Sequence, residues 1–299
     1  MGETVGPRQK EIEREILPRI RLEFFRHDRK ESGPDDFRIP LNLEGRRNAV
    51  VKGKERRSGA KRALAYSSPR DRTKETALRN VVANEPWVTE DMDLQALTNE
   101  IQARQKVGRK IIVSDSLDFV DQTEDPRFTK ESDRRYDETQ DWIRFFVEDS
   151  DKLVVDLKDD QDYSYSRLAG NIAELILKYV KMYPVVERVL SKPASQKDRP
   201  DTKEMQRFFA SHQSVLESFL LKVIDKMEGR EAARDFIEAM PDKNGFDFDE
   251  GFSVLINNDK DVTIRYRDQE WLVPVRVLEE IVHDKDELLA VLQETKDNL

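Results

Sequence analysis

The sequence predicts an α/β fold, a three-layer sandwich in which a mostly parallel sheet carries helices on both faces. Strand-like and helix-like segments alternate over most of the 299 residues, which is typical of parallel strands joined by helices. Two apolar, strand-like runs end in histidines, His27 and His212. Because strands of α/β folds tend to display reactive groups at their carboxyl ends, the same fold class accounts for both histidines.

One domain is expected over residues 19–299, after a charged arm at 1–18 that contains a short helical piece around 11–16. Predicted strands lie at about 20–25, 62–66, 110–113, 205–211, 253–257 and 262–267, and the last two form a hairpin. Predicted helices lie at about 42–57, 70–82, 136–147, 166–190, 214–227 and 231–240, and a last one begins near 275. The helical region at 136–190 is expected to cover the functional site.

Local signals support these bounds in chain order. Asn42 is a suitable N-cap for the first long helix. Ser-Ser-Pro at residues 67–69 ends the second strand before the next helix begins. Acidic, turn-rich sequence is predicted from the third strand to about residue 133. The helix at 166–190 has apolar residues at the spacing of an amphipathic face, at 172, 175, 176, 179 and 180.

The composition excludes several classes of function. With a net charge of −9 and a pI near 5.2, the molecule as a whole should repel nucleic acid and anionic membranes, so a bound anion must meet a local basic pocket. The lack of cysteine excludes disulfides, thiolate metal sites and cysteine nucleophiles. No stretch resembles a signal peptide or a membrane span, so a cytoplasmic protein is expected.

Arginines near the ends of the first two predicted strands suggest a phosphate pocket. Arg26 precedes His27, and Arg72 follows the Ser-Ser-Pro turn. Guanidinium groups offer forked donors that match phosphate oxygens. Charged residues after strands are more often solvated loop ends, so this pattern alone does not decide between the two interpretations.

Four blocks in chain order resemble motifs of the histidine phosphatase superfamily, whose fold is phosphoglycerate mutase-like. Residues 26–28, Arg-His-Asp, resemble its Arg-His-Gly signature, and residues 40–49 resemble the Leu-Thr-x-x-Gly-x-x-Gln-Ala stretch that follows. Residues 65–77 are similar to its Ser-Ser-Pro-x-x-Arg-x-x-x-Thr-Ala block, and Ser-His at 211–212 resembles its second-histidine motif. The Ser-Ser-Pro block is the most specific of the four.

The resemblance implies a phosphatase that hydrolyses a phosphomonoester in two steps through a phosphohistidine. His27 would attack phosphorus. Arg26, Arg72 and His212 would hold the phosphoryl oxygens. The chemistry is compatible, because phosphoryl transfer depends chiefly on positioning and positive charge, and neutral imidazole is the nucleophile. No metal or other cofactor is needed, and the expected substrate is a phosphorylated small molecule or a phosphoprotein.

Two departures from the family pattern leave alternatives open. Asp28 replaces the motif glycine, where it could orient the histidine or weaken anion binding. Phe119 stands where one branch of the superfamily has a glutamate as proton donor, so the acid is assigned to Asp118. The other acids considered are Asp115, Asp121, Glu90 and Glu31. The same departures suggest a competing function, a catalytically impaired relative that binds a phosphorylated ligand or partner, and a mutase is a third possibility.

Overall fold

The computed structural model describes residues 18–58, 63–104, 111–119, 127–139, 141–158, 164–192, 203–240 and 245–297. Within these ranges the strands are β1 (Arg19–Arg26), β2 (Ala63–Ser67), β3 (Ile111–Val113), β4 (Glu204–Ser211), β5 (Gly251–Ile256), β6 (Asp261–Tyr266) and β7 (Gln269–Pro274). The helices are α1 (Leu43–Arg56), α2 (Asp71–Val82), α3 (Leu94–Ala103), α4 (Arg127–Thr139), α5 (Trp142–Leu157), α6 (Tyr165–Leu190), α7 (Val215–Glu228), α8 (Arg230–Glu238) and α9 (Val275–Asp297). Nearly all of the predicted arm, with its helical piece, lies outside the described residues.

The strands form one sheet in the order β3-β2-β4-β1-β5-β6-β7. The four strands from β3 to β1 are parallel to one another, and β5, β6 and β7 extend the sheet with antiparallel pairs. The predicted α/β fold class is therefore confirmed, with a parallel core. The antiparallel part includes the predicted hairpin and one strand, β7, that was not predicted.

Helices cover both faces of the sheet, as predicted. Alternate side chains of β1 point to opposite faces because the side-chain period of a strand is two. Leu22 and Phe24 pack in the apolar cluster that contains residues of α6, α7 and α9, whereas Phe25 packs in the cluster that contains residues of α2. Phe24 stacks on Phe209 of β4 at 4.5 Å between ring centroids. Burying each such ring contributes ~1.5–3 kcal/mol.

The register of β1 and β4 brings the two motif histidines to one level. Arg26 pairs with Ser211 at the carboxyl ends of these parallel strands. The next backbone N–H, that of His27, donates to the Ser211 carbonyl over 2.9 Å. Because the strands end together, His27 and His212 leave the sheet side by side.

The motif blocks contact one another, which explains several of their residues. A Cβ at Gly45 would lie 2.3 Å from the Arg29 carbonyl oxygen, so a side chain there would push away the loop that follows β1. The Asp28 backbone N–H donates to Thr76 Oγ1 (3.3 Å). The Leu41 N–H donates to the buried Glu75 carboxylate (3.0 Å). These contacts fix the loop after β1 against α1 and α2.

The region between β3 and α6 differs from the prediction. Residues 127–133 were predicted as turn-rich, but they belong to α4, and α5 extends well beyond the predicted helix at 136–147. Helix α5 begins after Asp141, whose carboxylate caps the helix by accepting the Arg144 N–H (2.9 Å). Helix α3, also not predicted, begins with Asp93 as its N-cap. None of the described helices is both long and apolar enough to cross a membrane.

Candidate active site

His27 and His212 form a pair at the carboxyl edge of the parallel strands. Their ring centroids are 5.2 Å apart and the rings are tilted by 67°. His27 is 8% exposed and His212 is 1% exposed. The two histidines that the sequence singled out are therefore brought together in one largely buried place.

The hydrogen bonds of His27 define its tautomer. Nδ1 lies 2.7 Å from the Asp28 carbonyl oxygen, and because a carbonyl only accepts, Nδ1 carries the proton. Nε2 accepts the Arg72 Nε–H over 3.1 Å. Burial lowers the pKa of His27 well below its ordinary value, and the charges of His212 and Arg72 lower that pKa further. The ring is thus neutral, and its Nε2 lone pair faces the arginine.

Arg72 is the second residue of α2 and is almost fully buried. Its Nε–H is used by His27, and its two outer nitrogens donate to Asp36, one to the carbonyl oxygen (2.6 Å) and one to Oδ2 (2.9 Å). Arg72 therefore contacts the ring of His27. In this structure its outer edge is held by a carboxylate of the protein itself.

Asp36 lies on the loop between β1 and α1, and nothing in the motifs pointed to it. Its carboxylate contacts three cations, Lys30, Arg70 and Arg72. Burial raises the pKa of Asp36, but hydrogen bonds from Lys30 and Arg72 outweigh that effect and hold the pKa well below its ordinary value. Asp36 is consequently a permanent anion within the cluster of arginines.

Arg70 was also missed, although it belongs to the Ser-Ser-Pro block. Its side chain is fully buried and donates from Nε to Asp118 Oδ1 (2.8 Å) and from Nη2 to the Phe119 carbonyl (3.1 Å). The rings of Phe37 and Phe119 lie 4.5 and 4.2 Å from its Cζ. These distances are within the range of cation–π contacts. Arg70 links the loop of Asp36 to the segment of Asp118.

Asp118, the predicted acid, lies against His212. Its Oδ1 is 3.0 Å from His212 Nε2, which is also 2.7 Å from Ser68 Oγ. Burial raises the pKa of Asp118, and the charge of Arg70 partly opposes this. Burial lowers the pKa of His212, with Arg72 and Arg70 adding to the shift. Asp118 thus has two features of a proton donor, a place beside His212 and an increased affinity for a proton.

Phe119 occupies the position of the missing glutamate and packs its ring against His212 at 4.8 Å between centroids. Of the other acids considered, Asp115 lies in the short 3₁₀ turn before Asp118, and Glu31 is exposed on the loop before α1. Glu90 forms an exposed ion pair with Arg47. Asp121 lies outside the described residues. Asp118 is therefore the acid that the described part of the chain brings to His212.

Arg26 is held by the segment that precedes β5. It donates to the Phe246 carbonyl, and its Cζ lies 4.4 Å from the centroid of the Phe248 ring. The Phe246 N–H donates in turn to Glu217 of α7 (2.7 Å), a fully buried carboxylate whose pKa burial raises to about 7. Phe248 also lies 6.4 Å from the ring of His27. Arg26 is thus positioned next to the nucleophile candidate by residues that the sequence did not indicate.

Asp28 contacts His27 through its backbone, and its carboxylate is used elsewhere. The carboxylate accepts the Arg29 N–H over 2.6 Å. Burial raises its pKa, against hydrogen bonds from Arg29 and Asn48 that lower it. The bond that orients His27 comes from the Asp28 backbone carbonyl, which the motif glycine also has, so the two roles considered for the Asp28 side chain both stay predictions. Among the described residues, no group of three or more His, Asp or Glu side chains is arranged to hold a metal ion.

The chain matches no family model and no curated protein. Its structure is similar to a phosphoserine phosphatase mutant from Entamoeba histolytica in complex with phosphoserine, with 15% identity, a TM-score of 0.40 and coverage of 85% of this chain and 94% of that chain. It is also similar to a mycobacterial glucosyl-3-phosphoglycerate phosphatase, with 12% identity, a TM-score of 0.39 and coverage of 80% and 90%. A third is a phosphoglycerate mutase from Bacillus anthracis, with 14% identity, a TM-score of 0.38 and coverage of 90% and 98%.

Proposed function

We propose that this protein is a phosphomonoesterase that works through a phosphohistidine on His27. The observation that carries the proposal is the state of this ring, a neutral imidazole whose Nε2 lone pair faces Arg72. A neutral imidazole beside fixed positive charge is what a nucleophile for phosphorus requires. We further propose that residues 19–299 form one domain with a helical region at 136–190 over this site.

In the first step, the hydrogen bond from Arg72 Nε to His27 Nε2 breaks, and Nε2 attacks phosphorus while the bond from phosphorus to the ester oxygen breaks. Asp118 gives its proton to the departing oxygen, so the alcohol leaves neutral. The raised pKa of Asp118 supports this role, because an acid that holds its proton more tightly is present in the protonated form at higher pH. Arg26, Arg72 and His212 would stabilise the charge on the phosphoryl oxygens.

In the second step, water attacks phosphorus and the bond from phosphorus to Nε2 breaks. The water proton returns to Asp118, which restores both His27 and the acid. The bond from His27 Nδ1 to the Asp28 carbonyl supports both steps, since it stabilises the positive ring formed when Nε2 becomes bonded to phosphorus.

Local charge resolves the conflict between an anionic substrate and an acidic protein. Although the net charge is −9, Arg26, Arg70 and Arg72 cluster near the two histidines, and Lys30 lies at the outer side of Asp36. Hydrogen bonds from charged donors to phosphate contribute ~1.5–3 kcal/mol each. We propose that the substrate is a phosphorylated small molecule or a phosphoprotein.

The decisive test is to trap the intermediate. Rapid quenching during turnover of a labelled aryl phosphate should leave label on His27, in a bond that survives alkali and is lost in acid. His27→Ala should remove both the label and the activity. His283→Ala is the matched control, because His283 lies on the surface of α9 with its side chain 70% exposed. Full activity of His27→Ala, or label on another residue, would contradict the mechanism.

A second candidate function is binding of a phosphorylated ligand or partner without turnover. Two observations favour it, the carboxylate of Asp36 on the outer edge of Arg72 and the ring of Phe119 in place of a glutamate. Tight binding of a phosphonate together with no hydrolysis of nitrophenyl phosphate would support this function over the enzyme.

A further inference from the structure

Arg72, one of the donors proposed to hold phosphate, already holds an anion. Its Nη2 donates to Asp36 Oδ2 and its Nη1 to the Asp36 backbone carbonyl, and Arg70 also donates to Oδ2. Lys30 donates to the other oxygen, Oδ1, over 2.6 Å. One carboxylate thus receives hydrogen bonds from three cations, which is also how proteins bind a phosphoryl group.

Asp36 is carried by a short loop whose two ends are fixed. The Glu31 N–H donates to the Pro40 carbonyl (2.9 Å) near the base of the loop. At its far side the Asp71 N–H of α2 donates to the Phe37 carbonyl (2.9 Å). The Asp36 side chain itself is 34% exposed. The carboxylate is therefore held at the site from the solvent side, where a ligand would enter.

We propose that Asp36 is an internal competitor of the ligand, a carboxylate that occupies part of the anion site and that a phosphoryl group must replace. The inference uses the same pocket as the proposed function and rests on that pocket binding phosphoryl groups. A ligand must take over the donors of Arg70 and Arg72. A phosphoryl dianion offers three oxygens and two charges, whereas a sulfonate offers one charge.

The competition follows from general electrostatics. While Asp36 stays in place, an entering anion meets a like charge on the donors that it needs, and this repulsion lowers its affinity. A dianion recovers more energy from the same cations than a monoanion does, but it is also repelled more strongly by Asp36, because both energies scale with the product of the charges. Asp36 should therefore lower the affinity for every anion, and its removal should raise the affinity for a dianion at least as much as the affinity for a monoanion.

The opposite role is that Asp36 orients Arg72 so that Nε–H faces His27. In that case removal of the carboxylate would let Arg72 change orientation and would weaken the binding of every ligand. The two roles predict changes of opposite sign, which makes the residue suitable for a direct test.

The test compares two ligands of the same shape, phenylphosphonate and benzenesulfonate, by calorimetry at a pH where the phosphonate is a dianion. The proteins are wild type, Asp36→Asn, Asp36→Ala and the control Asp35→Asn. Asp35 lies on the same loop with its side chain 54% exposed and pairs with Arg38. Thermal unfolding of each variant checks that it is folded.

Wild type should bind the phosphonate in preference to the sulfonate. Both Asp36 variants should bind the phosphonate about 10- to 100-fold more tightly, the range expected when a charge-assisted competitor is removed. They should also bind the sulfonate more tightly, by a factor no larger than that for the phosphonate, because the sulfonate has one charge. Asp35→Asn should match wild type. Unchanged or weaker phosphonate binding in the Asp36 variants would overturn the inference.

The outcome is separable from that of the proposed function because binding needs no turnover. Phosphonate binding that behaves as expected, with no hydrolysis of any ester, would contradict the proposed phosphomonoesterase activity and support the role of Asp36. Hydrolysis with trapped label on His27, together with unchanged phosphonate affinity in the Asp36 variants, would overturn only the role of Asp36. The inference would be overturned if neither wild type nor any of the three variants bound the phosphonate.

Discussion

Two acidic segments reach Arg70 from opposite sides, and their carboxylates differ in state. Asp36, on the loop before α1, contacts three cations, and although burial raises its pKa, hydrogen bonds from Lys30 and Arg72 hold it well below its ordinary value. Asp118, after β3, is more deeply buried, and its pKa is raised despite Arg70. The number of cations around a carboxylate, together with burial, decides which group stays ionised and which can carry a proton.

The sharpest way to test this difference uses leaving groups. If Asp118 is the proton donor, Asp118→Asn should slow hydrolysis of an alkyl phosphate ~10²–10⁴-fold, because a poor leaving group needs the proton. Hydrolysis of nitrophenyl phosphate should change far less. Asp115→Asn is the matched control on the same segment. Equal losses on both esters would show that Asp118 acts by positioning instead.

A second test removes Arg70, the arginine that contacts both carboxylates. Arg70→Met removes a fully buried cation that contacts both Asp36 and Asp118, and we expect a loss of ~3–5 kcal/mol in the free energy of unfolding, measured with urea. The control is Arg47→Met, which removes an exposed ion pair with Glu90 and should leave stability nearly unchanged. A loss no larger than that of the control would mean that Arg70 does not hold the two segments together.

The smallest expected effect is in the pH dependence of stability. The depressed pKa of Asp36 contributes stability that is present above its ordinary pKa of 3.8 and is lost as the pH falls through the folded value. The raised pKa of Asp118 acts in the other direction, because the folded state prefers the protonated acid, and stability is lost as the pH rises from 3.8 through the folded value.

Unfolding curves of Asp36→Asn and Asp118→Asn against pH test these signs. On acidification, the stability of wild type relative to Asp36→Asn should fall, and relative to Asp118→Asn it should rise. Curves that change in the same direction for both variants would contradict the comparison.

The sequence predicted the parts of the site that depend on local pattern. Alternating apolar residues indicated the strands that end at His27 and His212, and the Ser-Ser-Pro block led to Arg72. Asp36 and Arg70 were not predicted, because their contacts depend on how a loop folds back onto a helix and onto a third segment. No spacing along the chain reports such long-range charge contacts.

The helical region shows a second limit of sequence patterns. The highly charged sequence at 127–133 predicts a turn-rich segment, but α4 forms there. The helix has ion pairs at helical spacing, such as Arg134 with Glu131 and Glu138. Charge alone therefore did not separate a solvated helix from a loop. Tertiary packing of Phe128 and Phe145 holds this helix to its neighbour.

The pairing of β1 with β4 determines when, during synthesis of the chain, the proposed phosphate site can form. Arg19 and Glu204 face each other in this pair although 185 positions separate them along the chain. During synthesis, which proceeds from the N-terminus, His27 is made long before the strand that must lie beside it. Closing so long a loop makes this contact slow relative to local helices. We expect a nascent chain that ends before β4 to lack the pair of His27 and His212, so the proposed phosphate site forms only after β4 has been made.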